Sequence, residues 1–354
     1  KEMADFLTSL SSKNVYVYRD DCFAFFSDNE GTTETVCCAI RKRLGGTWVL
    51  QGMPVAVSAH ADVLRFPDFA HNCAEVNDIL KYAGEHVEKG KLVNVIDKKC
   101  ADGFKHEAEL VTLLKNAIEN DGFDVYYQPI YNLEKEKYTS AEALIRLSDT
   151  GSFGQVSPDE FIPVAEKNGL ITDIGNIVLK KVCRFISGNR INELGIDYVE
   201  VNLSGVQIVN SSLPDDIMAV LNEHNVPSHF LNFEMAETAE TSNHMAVNIH
   251  RIRSGGSGFS LEDFGKVGSG LSKITDNGFD IIKLDKSLVQ PCLDRENNKA
   301  GIILESLIGM IRQLGIEIAA EGVETEEMAN ELIADGVNYL QGYYYSCLLY
   351  TSDA

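Results

Sequence analysis

From residue 125 onward the chain alternates short apolar runs with amphipathic stretches, and this rhythm recurs eight times before residue 345. The strand-like runs fall at 125–130, 142–147, 198–203, 230–235, 259–264, 279–284, 316–320 and 339–345, with helical apolar spacing at 158–167, 173–186, 215–224, 239–253, 298–314 and 326–334. Eight such units in about 240 residues predict an α/β fold, a (β/α)8 barrel of the TIM type over 121–346. No glycine-rich phosphate loop opens a helix here, which argues against an open doubly wound sheet.

At 354 residues the chain is long enough for a second, smaller domain with its own core. Residues 1–100 carry strand-like runs at 15–18, 23–26 and 55–58 and helical stretches at 33–44 and 72–86, which predict an α+β domain. A linker helix over 101–120, with Glu107, Leu110, Leu113, Leu114, Ala117 and Ile118 on one stripe, leads into the barrel. The net charge of −22 is uneven: residues 106–354 hold 38 acidic and 18 basic side chains. Such a field repels polymeric nucleic acid and anionic membranes, and no apolar run reaches the ~18 residues of a membrane-spanning helix. The eight cysteines show no C-x-x-C and no metal-ligand spacing with histidines, the pattern of reduced thiols in a cytoplasmic protein.

In a barrel of this kind the C-terminal strand ends converge on one site. The polar residues at those ends are Gln128, Glu142 with Arg146, Asn202, Glu234 with Glu237, Glu262 with Asp263, Lys283 with Asp285, Glu321 with Glu324, and Gln341. Each alone has a plain structural explanation as a cap, a turn or a solvated surface group. Together they crowd carboxylates where burial without cations would be very costly. Glu262 and Asp263 are adjacent, so they can share a site only if the strand bends there, because neighbours in a strand face opposite ways. Oxygen ligands without His or Cys select Mg²⁺ or Mn²⁺ over zinc, and two such ions can clamp an in-line phosphoryl displacement. The residues therefore point to metal-dependent phosphodiester hydrolysis.

The motifs Tyr127-Gln128-Pro129-Ile130, Glu142-Ala143-Leu144-Ile145-Arg146, Val201-Asn202-Leu203-Ser204, Glu234-Met235-Ala236-Glu237-Thr238, Glu262-Asp263-Phe264-Gly265, Lys283-Leu284-Asp285, Glu321-Gly322-Val323-Glu324-Thr325 and Gln341-Gly342-Tyr343 resemble, in order, the EAL-domain cyclic-di-GMP phosphodiesterases. The resemblance implies a first metal on Glu142, Asn202, Glu234 and Glu262, and a second on Asp263 and Asp285. Lys283 and Glu321 would order and deprotonate the attacking water. Gln128, Leu144, Arg146 and Gln341 would contact the dinucleotide, while Glu237 and Glu324 would support the loops. It also implies cyclic-di-GMP as substrate, linear pGpG as product, and pairing of two copies through the barrel; a catalytically weak receptor for cyclic-di-GMP is the alternative.

Three departures from the family pattern stand out. Glu262 stands where the family bridges its metals with Asp, Lys266-Val267-Gly268-Ser269 replaces Thr-Gly-Tyr-Ser, and Leu147 replaces a usual Trp. In the first domain, Tyr18-Arg19-Asp20-Asp21-Cys22-Phe23-Ala24-Phe25 resembles the end of a GGDEF cyclase motif without its Gly-Gly-Asp-Glu turn, and 57–61 and 81–91 resemble that family's later strand and closing helix. The expectation is a partial, degenerate GGDEF-like domain. Residues 347–354 resemble a translated adapter fragment, which predicts a non-native tail.

Overall fold

The computed structural model describes the chain except for residues 1, 11–14, 20–21, 28–29, 51–52, 56–57, 238–241, 267–273, 275–277, 294–297 and 351–354. It forms two compact units, Lys1–Glu109 and Leu110–Ala354. Asp20, Asp21, Ala56 and Val57, which belong to the degenerate cyclase motif and the expected 55–58 strand, lie outside the described residues, as do Thr238 and Val267 to Ser269.

In the first unit, helices Glu30–Leu44 and Cys73–Glu85 accompany three small strand pairs: Tyr16–Arg19 with Cys22–Ala24, Trp48–Leu50 with Met53–Val55, and Ala61–Val63 with Val93–Val95. Its core gathers Leu7, Val36, Cys37, Ile40, Leu44, Trp48 and Val93. Helix Cys73–Glu85 starts at Asn72, whose side chain accepts from the Glu75 amide at 3.0 Å and satisfies one orphan donor of the first turn. Helix Lys98–Glu119 crosses the unit boundary, and Leu110, Leu114 and Ala117 on its later turns are buried with Phe123, Phe161 and Ile174.

The second unit is a closed eight-stranded barrel: β1 (Phe123–Asn132), β2 (Lys137–Leu147), β3 (Tyr198–Asn202), β4 (Leu231–Ala236), β5 (Gly258–Phe264), β6 (Ile281–Leu284), β7 (Glu317–Ala320) and β8 (Tyr339–Leu340). Strands β2 to β8 run parallel, whereas β1 pairs antiparallel with both β2 and β8. No helix is expected between the first two strands, and a tight turn over 133–136 joins β1 to β2. The last strand is also shorter than expected: pairing stops at Leu340, and 343–345 form a turn. Beyond it, Leu349 and Tyr350 pair antiparallel with Tyr127 and Tyr126.

The longer helices between the strands are α1 (Pro158–Lys167), α2 (Ile171–Asn189), α3 (Leu213–His224), α4 (Asn243–Ser254), α5 (Asn298–Gln313) and α6 (Glu326–Asp335). In α2, Ile171, Ile174, Val178, Leu179, Val182, Cys183 and Ile186 recur every three to four residues, and all are buried. Ile171 and Ile174 pack with Phe123 and Phe161, and from Val178 onward the stripe joins the main core, which also holds the outward positions Val199, Val201, Phe233, Phe259 and Leu261. Burying one such side chain contributes roughly 1.5–3 kcal/mol.

Inward positions are layered along the barrel axis. Ile130, Ile281, Ala319 and Tyr339 plug the floor. Above them Asn232 donates to Ser260 Oγ at 2.8 Å, and next come Glu142, Glu200, Glu234 and Lys283, all buried. Strand alternation thus turns apolar outward and charged inward at the same height on β2, β3, β4 and β6.

Candidate active site at the barrel mouth

Lys283 has no exposed surface, and its ammonium reaches four carboxylates: Glu234 Oε1 at 2.6 Å, Glu321 Oε1 at 2.8 Å, and Glu142 Oε2 and Glu200 Oε2 at 3.2 Å each. Burial alone would lower the Lys283 pKa, but Glu142, Glu200, Glu234 and Glu321 together raise it well above the ordinary lysine value. It is therefore a fixed cation. Glu200 is the member that the sequence reading missed. Its position two residues before Asn202 on the same strand was the available signal, because both must face the same way.

Register places the acids. Gln128 pairs with Glu142, Glu142 with Glu200, Glu234 with Asn202, and Ala236 with Glu262 across successive strands. Carboxylate oxygens of Glu142, Glu234 and Glu262 all lie within 4.8 Å of one another. Asn202 Nδ2 donates to Glu142 Oε1 at 3.1 Å, and Gln341 Nε2 donates to Glu142 Oε2 at 2.6 Å and to Gln128 Oε1 at 3.2 Å.

One ammonium among so many carboxylates leaves excess negative charge in a dry layer. Burial and repulsion from Glu142, Glu321 and Asp263 push the Glu262 carboxyl far up, despite Lys283. Burial and the Glu200 charge do the same to Glu234, and burial raises Glu321. Glu142 is the exception: burial opposes its charge, but Lys283, Gln341 and Asn202 hold it below the usual carboxylate range. No donor reaches the buried Glu234 Oε2. A divalent cation among Glu142, Glu234 and Glu262 would supply both the missing charge and that missing partner, so this oxygen-only set fits a hard ion of the Mg²⁺ or Mn²⁺ class.

Asp263 and Asp285 are arranged differently. A register shift between Leu261 and Phe264 on β5 and a left-handed backbone at Asp263 (φ 59°) make the bend that two adjacent acids require. Yet among the described residues neither joins the three-carboxylate group. Asp263 instead holds Lys266, with Nζ at 3.1 and 3.2 Å from its two oxygens. Asp285 accepts from the Ser287 amide at 2.9 Å, at the start of helix Lys286–Val289. Glu237 accepts from the Gly265 amide at 3.1 Å, and the Glu237 amide donates to Glu262 O at 3.0 Å, tying β4 to the bend. Leu144 and Arg146 are half-buried towards the end of β2, and Glu324 is exposed on the loop before α6.

A family model described as the EAL domain matches residues 112–347. The signaling protein YkoW of Bacillus subtilis (strain 168) is 35% identical over 238 residues, covering 66% of this chain and 29% of that protein. The probable cyclic di-GMP phosphodiesterase PdeB of Escherichia coli (strain K12) is 33% identical over 245 residues, covering 68% of this chain and 45% of that one. The chain thus spans less than half the length of either relative. The solved structure of PaMucR phosphodiesterase in complex with c-di-GMP superposes with a TM-score of 0.63 at 29% identity, covering 69% of this chain and 98% of that one.

Proposed function

Because this chain belongs to the EAL domain family, we propose that its barrel hydrolyses cyclic-di-GMP to linear pGpG with the help of a divalent cation. The observation that carries this reading is the convergence of Glu142, Glu234 and Glu262 beside the Lys283 ammonium. These three carboxylates, with Asn202, would hold a Mg²⁺ or Mn²⁺ ion, which when bound supplies Lewis acidity and lowers the pKa of water. Lys283 keeps Glu234 and Glu321 oriented by ion pairs of 2.6 and 2.8 Å. Glu321, only partly exposed and with its pKa raised by burial, would take the proton of the attacking water. In that step the water oxygen would bond to phosphorus as its proton passes to the Glu321 carboxylate, one ring P–O bond would break, and the departing ribose oxygen would take a proton from solvent water. Gln128 and Gln341, already bonded to each other, would orient the dinucleotide with Leu144 and Arg146.

The receptor reading draws support from Glu262. A carboxylate one methylene longer than the family's aspartate displaces its oxygens by about an ångström, enough to cost ~100-fold where chemistry depends on positioning. Incubating purified protein with cyclic-di-GMP and Mn²⁺, followed by chromatography, separates the two. pGpG is expected; tight binding of intact cyclic-di-GMP without product would establish the receptor instead.

For the first unit we propose a degenerate GGDEF-like domain that makes no cyclic-di-GMP from GTP, since Arg19-Asp20-Asp21-Cys22 lacks the glycines that admit a phosphate and the Asp-Glu pair that holds a metal. Residues 347–354 take no part in the proposed chemistry, so a chain ending at Ser346 should form pGpG at the same rate.

A further inference from the structure

We infer that Lys266 is a built-in monovalent cation at the outer edge of the site, and that it restricts the barrel mouth to one tightly held divalent ion. The inference rests on the metal-dependent reading above and adds to it a residue and a stoichiometry. Asp263 and Asp285 would otherwise be the natural ligands for a second ion, because both are carboxylates at the ends of neighbouring strands β5 and β6. The Lys266 ammonium lies almost equally close to the two Asp263 oxygens, at 3.1 and 3.2 Å, so neither oxygen is left bare.

The backbone sets this up. Asp263 adopts the left-handed conformation, Gly265 follows at φ 95°, and the Lys266 amide donates back to Asp263 O at 3.1 Å. That closed turn brings the side chain at 266 over the carboxylate at 263. The amide of Gly265 is in turn fixed by Glu237, so the turn is anchored to β4. The position does not serve only one pair, since the charges of Asp285 and Glu262 also act on Lys266, and they favour its ammonium form along with the Asp263 hydrogen bonds.

A divalent ion entering between Asp263 and Asp285 would have to displace an ammonium already paired there and would be repelled by it. The site at Glu142, Glu234 and Glu262 also has an ammonium beside it, but Lys283 divides its one charge among Glu142, Glu200, Glu234 and Glu321, and among the described residues no lysine pairs with Glu262. Lys266 keeps about half of its side chain in solvent, at 54% exposure, so it can swing away at high metal concentration. The chain should therefore show one strong ion and a second that binds only when metal is abundant.

The test is a Mn²⁺ titration of the whole chain without substrate, followed by calorimetry and by the paramagnetic resonance signal of free Mn²⁺. Wild type is expected to bind one ion tightly. Lys266→Thr and Lys266→Met, two chemically different ways of removing the charge, should each bind two, with the second site gaining at least tenfold in affinity. Lys266→Arg should stay at one. Two equal tight ions in wild type, or a single ion in both charge-removed variants, would overturn the inference while leaving the phosphodiesterase reading intact. No Mn²⁺ binding by any variant would overturn both.

Discussion

The barrel mouth contains two lysine–carboxylate clusters that look alike in composition and differ in support. In the deep cluster Glu142, Glu200, Glu234 and Lys283 ride on paired strands and are buried, with Glu321 just past β7. At the rim Asp263, Lys266 and Asp285 belong to strand ends and turns, and the Asp263–Lys266 pair is substantially exposed. The deep ions cannot relax into water, so their geometry exists before any ligand arrives, and removing one partner strands the others. The rim pair is screened and pays side-chain entropy, so it contributes little to stability and can be remodelled. What the fold makes rigid is therefore a set of carboxylates gathered around one lysine; what it leaves adjustable is the charge beside them.

The largest expected effect is at the centre of the deep cluster. Lys283→Met should cost on the order of 3–5 kcal/mol in urea unfolding of the metal-free protein, because several buried carboxylates lose their shared counter-ion. A loss below ~1 kcal/mol would show that the deep and rim clusters do not differ as argued. Next come the two chemical roles: Glu142→Ala and Glu321→Ala should each lower pGpG formation by ~100-fold or more. Only Glu142→Ala should also weaken Mn²⁺ binding, and equal metal affinity in the two variants would remove the division of labour. Glu262→Asp, at the junction of the clusters, should raise turnover by up to ~100-fold and reduce the metal required. With Glu262 in place, Mn²⁺ should support more activity than Mg²⁺, whose octahedral demand is stricter. The smallest effect is at the rim, where Lys266→Met should change unfolding stability by no more than ~1 kcal/mol.

Much of the deep cluster was legible because strand periodicity is simple. Val201-Asn202, Phe233-Glu234 and Ile282-Lys283 alternate apolar and polar residues, and the bend at Glu262-Asp263 follows from asking two neighbours to share a face. Glu200 escaped because Val199-Glu200-Val201 reads equally well as an exposed acid on an amphipathic strand; only its height in the barrel makes it a partner of Lys283. The antiparallel first strand could have been foreseen, since the stretch between residues 130 and 142 is too short for the crossover of a dozen or more residues that parallel neighbours need. Lys266 was not legible as a partner of Asp263, for its reach depends on a left-handed backbone that no side-chain pattern announces. The end of β8 was overextended for a similar reason: Tyr343-Tyr344-Tyr345 has the composition of a strand, but the chain turns at Gly342.

Gly342 has a consequence of its own. A methyl group there would lie 2.1 Å from the Val323 carbonyl oxygen and 2.3 Å from its amide nitrogen, where the Val323 amide donates to Gln341 O and the Tyr344 amide to Val323 O. The loop that carries Glu321 and the one that carries Gln341 are thus clamped face to face by the absence of a single carbon. The tolerance between Glu321, the proposed proton acceptor, and the amide that steadies Glu142 is set by a residue with no side chain. Even alanine at 342 would act as a shim, prising the two loops apart without touching a single acid.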